Sequence, residues 1–259
     1  MPYLQVLRYI CQHNPWYKVP GRLLLALLYQ CYKRLTKGIV TLTLFNGKKI
    51  FLFPANPICS AFVYTAIPDY AEIQALRKLA DNETVFIDVG ANVGSYSLLL
   101  LDKVKAVHAF EAHPETAQYC KLNFLLNGID ESQVHCQAIS HNEEPKYFSN
   151  AMAACPTNRV VTNSTDAIKV PATTLDLFVQ QQQFEPNTNF LLKIDVEGFE
   201  YEVFQGAKQF LSQFPVRGII FEGFSAKNQA ILDLLQQFGF QTHYISENNL
   251  FAYPERNQT

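Results

Sequence analysis

The loop Asp88-Val89-Gly90-Ala91-Asn92-Val93-Gly94 has residue types and spacing that suit ligand binding. Gly90 lets the backbone turn tightly and approach a ligand, and the helix predicted to follow presents N–H groups to a carboxylate. The acidic Asp88 suits a cationic ammonium group and repels a pyrophosphate. Glu111 ends the next predicted strand, where a carboxylate can accept hydrogen bonds from two ribose hydroxyls. The pattern predicts a cofactor site.

A second group of titratable residues lies where a later strand is predicted to end. Lys193, Asp195 and Glu197 share parity and therefore one strand face. A central parallel strand is normally apolar on both faces, so a buried lysine and carboxylate are costly unless they pair. They form either a structural ion pair or part of a reaction site, with Glu222 ending the neighbouring strand.

Strands and helices alternate from residue 84, which predicts a parallel sheet with right-handed crossovers. The predicted strands are Thr84 to Val89, Ala106 to Glu111, Gln133 to Ile139, Phe190 to Asp195 and Gly218 to Glu222. Two closing strands, Phe240 to Ile245 and Leu250 to Tyr253, form a hairpin that is typical of methyltransferase sheets. We predict an α/β fold with a Rossmann-like, doubly wound, mostly parallel seven-stranded sheet and a C-terminal antiparallel hairpin.

Residues 1–68 are predicted to be a basic segment of helices and a β-hairpin, ahead of a Rossmann-like domain at 69–259. Asn46-Gly47 between two short strands is a hairpin signal, because both residues tolerate positive φ. Pro54, Pro57 and Pro68 are expected to break the chain.

The charge of this segment is one-sided. Of the chain's 21 basic residues eight lie in 1–68, which leaves 13 in the remainder against all 23 acidic residues. The predicted helix from Pro20 to Tyr29 is apolar at its centre and basic at both ends. It either contacts an anionic membrane surface through residues 1–37, or packs Leu23 to Leu28 on the core with a solvated basic edge.

Several strings resemble the FkbM family of S-adenosylmethionine-dependent methyltransferases. They are VFIDVGANVGSYSLLL, VHAFEAHPE, KLNFLLNG, VPATTLDLF and LLKIDVEGFEYEVFQGAKQFL, and they span about residues 82–225. The family often has proline directly after the second strand's glutamate, whereas this chain has Ala112-His113-Pro114.

By position, the resemblance implies that Asp88, Gly90, Asn92 and Gly94 form the loop at the methionine end of the cofactor. It also implies that Glu111 binds the ribose and that Gln137 and Ala138 lie by the adenine. The family implies O-methylation, often of the hydroxyl or carboxyl group of a sugar or secondary metabolite.

Methyl transfer to an alcohol needs alignment of the reactants and a carboxylate to take the proton. Asp195 is the first candidate for this base; Glu197 and Glu222 are alternates, and Lys193 belongs to the same group. Carboxylates at adjacent strand ends also suit Mg²⁺. No third ligand is fixed by spacing, so no metal-ligating residue is assigned.

Composition limits the alternatives. A net charge of -2 argues against bulk electrostatic binding to nucleic acid, so a small-molecule or glycan acceptor is expected. Six irregularly spaced cysteines are expected to be free thiols, and no secretory signal is visible. A cytoplasmic enzyme is expected, and peripheral membrane contact through residues 1–37 stays open. A catalytically inactive cofactor-binding scaffold stays open, as does an NAD(P)-dependent oxidoreductase, although the spacing does not fit GxGxxG.

Overall fold

The computed structural model of the chain describes residues 3–54, 56–148, 160, 167–223 and 227–255. The polar stretch 149–166, predicted to be a long loop, lies outside the described residues except at position 160, and Cys155 lies there too. The other cysteines are free thiols: Cys11, Cys31, Cys59, Cys120 and Cys136.

The N-terminal part contains three helices and a hairpin. Its elements are α1 (Tyr3–His13), α2 (Val19–Thr36), β1 (Val40–Thr43), β2 (Lys49–Leu52) and α3 (Pro57–Tyr64). The predicted hairpin is confirmed, since β1 and β2 pair antiparallel and Gly47 has a φ of 79°. Pro57 does not break the chain but begins α3, because proline suits the first helical turn and the Asn56 side chain caps the helix by accepting the N–H groups of Ile58 and Cys59.

The remaining strands follow in chain order. They are β3 (Thr84–Val89), β4 (Ala106–Phe110), β5 (Val134–His135), β6 (Ala138–Ile139), β7 (Lys146–Phe148), β8 (Ile168–Val170), β9 (Ala172–Thr173), β10 (Asn189–Ile194), β11 (Val216–Glu222), β12 (Phe240–Tyr244) and β13 (Asn249–Pro254). Seven of them form the central sheet in the order β12-β13-β11-β10-β3-β4-β5. Five neighbouring strands run parallel: β11, β10, β3, β4 and β5. The antiparallel hairpin of β13 and β12 extends the sheet beside β11. The predicted sheet is confirmed.

Helices cover both faces of the sheet. They are α4 (Tyr70–Leu79), α5 (Ser95–Leu100), α6 (Pro114–Leu126), α7 (Leu175–Gln182), α8 (Glu200–Gln205), α9 (Lys208–Gln213) and α10 (Asn228–Gln237). Alternation along β3 sends Ile87 into one hydrophobic cluster and Phe86 into the other. The second cluster also holds Ile50 and Leu52 of the N-terminal hairpin. The division at residue 68 stays a prediction.

Two elements differ from the sequence-based expectation. The third strand is only two residues long, and Ala138 leaves the central sheet to pair with Ala172 of β9, where its N–H donates to Pro171. The sequence also predicts a single helix from Tyr201 to Leu211, which the structure divides into α8 and α9. Gly206 is the residue that caps the end of α8. A side chain at Gly206 would overlap the main-chain oxygen of Ser140, so this position requires glycine.

The N-terminal helices pack through one side only. Ala26 and Ile10 are buried in a small cluster with Tyr64, and Leu23 packs against it. The other leucines of the run from Leu23 to Leu28 are exposed, so the expectation that the run packs on the core holds for one side of α2. Within the described ranges, no helix is both long and apolar enough to cross a bilayer.

Candidate active site

The predicted glycine loop follows β3 and touches two neighbouring strand ends. Gly90 and Ala91 each donate a backbone hydrogen bond of 2.9 Å to the carbonyl of Phe110 at the end of β4. Gly90 has a φ of 78°, and a Cβ there would overlap the main-chain oxygen of Asp195. The position therefore requires glycine twice over, for its backbone conformation and for its close approach to the chain beyond β10.

Asn92 links this loop to the second predicted cofactor residue. Its backbone N–H donates to Glu111 Oε2 at 2.9 Å, and its φ is 52°. The Asn92 side-chain oxygen accepts a hydrogen bond of 2.6 Å from Asn56 Nδ2. The side-chain oxygen of Asn56 in turn caps α3. The N-terminal segment is thus tied directly to the loop. Gly94, with a φ of 83°, closes the turn by donating to the carbonyl of Ala91.

Glu111 is a buried carboxylate held by backbone donors. Its two oxygens accept the N–H groups of Asn92 and His113, both at 2.9 Å. Burial outweighs these bonds and raises the pKa of Glu111 to about 7. A carboxylate offers about four acceptor positions, so two remain for hydroxyl groups in the adjoining cavity.

Asp88 lies beneath the loop. Its carboxylate is fully buried and accepts both the backbone N–H of Ser97, at 3.1 Å, and the Ser97 hydroxyl, at 2.7 Å. The structure therefore uses Asp88 to hold the loop against α5. Its predicted contact with a cofactor ammonium group is not tested and stays a prediction.

Lys193 joins the loop to the carboxylate of Asp195, which follows β10. It stands opposite Asp88 in the register of β10 and β3, so both side chains leave the same face of the sheet. The ammonium Nζ lies 2.8 Å from the Gly90 carbonyl, 3.2 Å from Asp195 and 3.8 Å from Asp88. Burial favours the neutral amine, but the two carboxylates outweigh it and raise the pKa of Lys193. Lys193 is the buried cation at the centre of the site.

Three carboxylates lie at the ends of β10 and β11: Asp195 and Glu197 follow β10, and Glu222 is the last residue of β11. The side chain of Asp195 is 46% exposed, and Asp195 and Glu197 both line the adjoining cavity. Burial, followed by the charge of Asp195, raises the pKa of Glu197 to about 7. The same two causes raise the pKa of Glu222 to about 7. Lys193, Asp195 and Glu197 thus line one cavity, whereas Glu222 is not among its lining residues; their roles in catalysis stay a prediction.

The predicted adenine side is apolar. Gln137 and Ala138 line the cavity, and Ala138 is buried in a small cluster with Ala112 and Val170. This surface suits a flat aromatic ring, although the adenine contact itself stays a prediction.

Asp69 and Tyr96 are cavity residues that sequence reasoning missed. The Tyr96 hydroxyl donates to Asp69 Oδ2 at 3.2 Å, and Lys193 Nζ lies 5.3 Å from the centre of the Tyr96 ring. Asp69 has a φ of 50°, and burial raises its pKa. The available signal was its position: Asp69 is the first acidic residue of the chain, directly after Pro68.

One cavity of about 750 Å³ is lined by Glu111, Lys193, Asp195 and Glu197, together with the loop residues Gly90 to Asn92. Its walls come from the catalytic sheet and also from α1, α2 and α3, which the sequence did not indicate. Within the part of the chain that the structure describes, the buried atoms Ser95 Oγ and His113 Nε2 of the cavity lining have no hydrogen-bond partner. Together with the acceptor capacity of Glu111, they fit a polar nucleoside ligand.

A magnesium site is not supported. Among the described residues, no group of three histidine, cysteine, aspartate or glutamate side chains could hold a metal ion. The nearby cation is the ammonium of Lys193, at 3.2 Å from Asp195.

The FkbM methyltransferase domain matches residues 88–242, from Asp88 of the loop to Thr242 of β12. This match covers more than half of the chain, and the chain belongs to that family. The family is one of methyltransferases, so the match supports S-adenosylmethionine as the cofactor and argues against the oxidoreductase.

Similarity to individual proteins is more limited. An uncharacterized RNA methyltransferase from Oceanobacillus iheyensis is 33% identical over 78 residues, which cover 30% of this chain and 16% of that protein. One from Clostridium acetobutylicum is 31% identical over 109 residues, covering 42% and 22%. The chain spans less than a quarter of the length of either. A solved rRNA methylase from Streptococcus thermophilus aligns with a TM-score of 0.45 and 13% identity, covering 73% of this chain and 97% of that one.

We expect Glu111→Gln to weaken S-adenosylmethionine binding by about 1–3 kcal/mol. The amide removes the charge that strengthens hydrogen bonds from the ribose, and it cannot accept with both of its terminal atoms. Isothermal titration calorimetry measures the change. Glu131→Gln serves as the control, because Glu131 is exposed and is not among the residues that line the cavity. Equal affinity for Glu111→Gln and the wild type would show that Glu111 does not hold the ribose.

Glu111 also predicts a pH dependence of stability. Its folded-state pKa of about 7 lies above the ordinary value of 4.5, so the folded protein binds this proton more readily than the unfolded chain. The free energy of unfolding should therefore fall as the pH rises from about 4.5 through 7, by about 3 kcal/mol for this group. Urea unfolding at several pH values measures the slope, which Glu111→Gln should make shallower. An unchanged slope would contradict the raised pKa.

Proposed function

We propose that the enzyme transfers a methyl group to an oxygen atom of a small molecule or glycan, with Asp195 as the base. The observation that carries this proposal is the half-exposed Asp195 carboxylate in the cavity, 3.2 Å from the Lys193 ammonium. Bound S-adenosylmethionine supplies an activated methyl group and leaves as S-adenosylhomocysteine. The acceptor oxygen attacks that methyl carbon, and its proton passes to Asp195 when the acceptor is a hydroxyl.

The protein's own residues account for the other requirements. Glu111 and the loop Gly90–Gly94 would fix the cofactor, so that the acceptor and methyl group can align. Lys193 holds both the loop, through the Gly90 carbonyl, and Asp195, so the base and the cofactor loop share one rigid support. Glu197 and Glu222, with pKa values of about 7, are the alternate bases, because a base works best when its pKa is near the working pH.

The acceptor class rests on charge as well as chemistry. The chain beyond residue 68 is acidic, which disfavours a nucleic-acid backbone. The alignments with the two relatives named as RNA methyltransferases cover only 30% and 42% of the length of this chain. A small-molecule or glycan hydroxyl, or a carboxyl group, therefore remains the proposal, and a cytoplasmic location stays an expectation.

A labelling screen tests this proposal. The protein is incubated with methyl-tritiated S-adenosylmethionine and separate extracts of metabolites, glycans and RNA. Label in a product that resists alkali excludes an ester, and mass spectrometry of that product then shows whether the methyl group is on oxygen, nitrogen or carbon. A methyl ether indicates a hydroxyl acceptor. Label released by alkali as methanol indicates an ester and hence a carboxyl acceptor. Label confined to nuclease-sensitive material would overturn the proposal.

A further inference from the structure

The outward side of α2 is apolar. Leu24, Leu28 and Leu35 lie along one stripe and are 57%, 56% and 85% exposed. Ala26 and Tyr29 on the opposite side are buried. A surface helix of a soluble protein normally turns its polar side outward, and residues 23–32 contain no charged residue at all. α2 therefore exposes an apolar side to water.

Further large apolar side chains are exposed on the neighbouring elements. Leu4 and Leu7 are exposed on α1, and Trp16 and Tyr17 are exposed in the turn between the helices, Trp16 at 86%. We call the exposed leucines of the two helices the leucine face: Leu4, Leu7, Leu24, Leu25, Leu27, Leu28 and Leu35. Large apolar patches of this kind mark interaction sites, and tryptophan and tyrosine at their border are typical of a membrane–water interface.

The charged residues of the two helices and their ends have one sign. Arg8, Lys18 and Lys37 are exposed on the same helices and their ends, and residues 1–68 contain no aspartate or glutamate. A second copy of this chain would bring the same positive charges against them. An anionic lipid surface complements both the charge and the apolar side chains.

We propose that the leucine face docks on an anionic membrane surface, with α1 and α2 lying in the plane of the interface. This inference goes beyond the proposed acceptor chemistry and does not depend on it. Leu7, Leu27 and Arg34 belong to these helices and also line the cavity. The docked enzyme therefore turns one wall of its cavity toward the lipid headgroups, where membrane-borne acceptors would be met.

Trp16 reports on the docking directly, because it is the only tryptophan in the chain. Adding vesicles of phosphatidylcholine and phosphatidylglycerol should shift its emission to the blue and carry the protein to the top of a flotation gradient. Vesicles of phosphatidylcholine alone, or high salt, should weaken both signals. Replacing Arg8, Lys18 and Lys37 by glutamate should reduce binding about a hundredfold or more.

Two sets of leucine substitutions distinguish docking through the leucine face from non-specific binding through any exposed leucine. The triple variant Leu24→Gln, Leu28→Gln, Leu35→Gln should lose vesicle binding. The control Leu122→Gln, Leu125→Gln, which changes exposed leucines of α6, should retain it. Both should bind S-adenosylhomocysteine as the wild type does, which shows that the fold and cofactor site persist. Absence of vesicle binding by the wild type at low salt would overturn the proposal. The proposal would also be overturned if the wild type and the control variant were dimers in solution and the triple variant were a monomer.

Discussion

Replacement of Lys193 by methionine is expected to lower the free energy of unfolding by about 3–5 kcal/mol. The variant keeps most of the side-chain volume but leaves Asp88 fully buried without its cation. It also removes the 2.8 Å bond to the Gly90 carbonyl, so the cofactor loop should loosen with the fold. Chemical denaturation followed by circular dichroism measures the effect.

Two further variants give this prediction its controls. Lys105→Met removes the exposed ion pair with Glu83 and should cost less than about 1 kcal/mol. The double variant Asp88→Asn, Lys193→Met should recover much of the loss, because the uncompensated charge is gone. If Lys193→Met proved no more destabilising than Lys105→Met, the buried pair would not support the site.

Asp195→Asn is expected to lower turnover by about 10²–10⁴-fold while the fold and cofactor binding persist. The amide keeps the shape of the carboxylate but cannot accept the acceptor's proton. Initial rates with the acceptor found by the labelling screen measure the loss, and calorimetry with S-adenosylhomocysteine checks that the cofactor still binds.

The alternate bases decide how a smaller effect is understood. Glu197→Gln and Glu222→Gln are measured in parallel, because both carboxyl groups lie near enough for the charge of Asp195 to raise their pKa values. Near-normal turnover of Asp195→Asn, with a large loss for either glutamine variant, would move the base to that glutamate. A base role for Asp195 also requires a pH–rate profile that loses its acidic limb in the asparagine variant.

The central sheet could be predicted because hydrophobic pattern and turn residues both indicate it. Thr84 to Val89 has the predicted bounds, and the two closing strands lie within one residue of theirs. The strand predicted from Gln133 to Ile139 is shorter than expected because Ala138 bonds to a distant partner, Pro171. The close approach of Gly206 to Ser140 likewise joins segments that are distant in sequence.

The site was predictable where it depends on strand ends and not where it depends on distant segments. Parity alone placed Lys193 and Asp195 together, and Glu111 was recognised from its position after β4. The sequence did not reveal that Lys193 pairs with Asp88 across two strands, because register is set by the assembled sheet. Nor did it reveal that Asp69 and the N-terminal helices form part of the cavity wall.

The proposed arrangement of the cofactor can be tested by a crystal structure with S-adenosylhomocysteine. We expect the ribose hydroxyls on Glu111, the amino-acid end along Gly90–Gly94, the adenine beside Gln137 and Ala138, and the sulfur directed toward Asp195. Density for the ligand elsewhere in the cavity, or a ribose that makes no contact with Glu111, would contradict it.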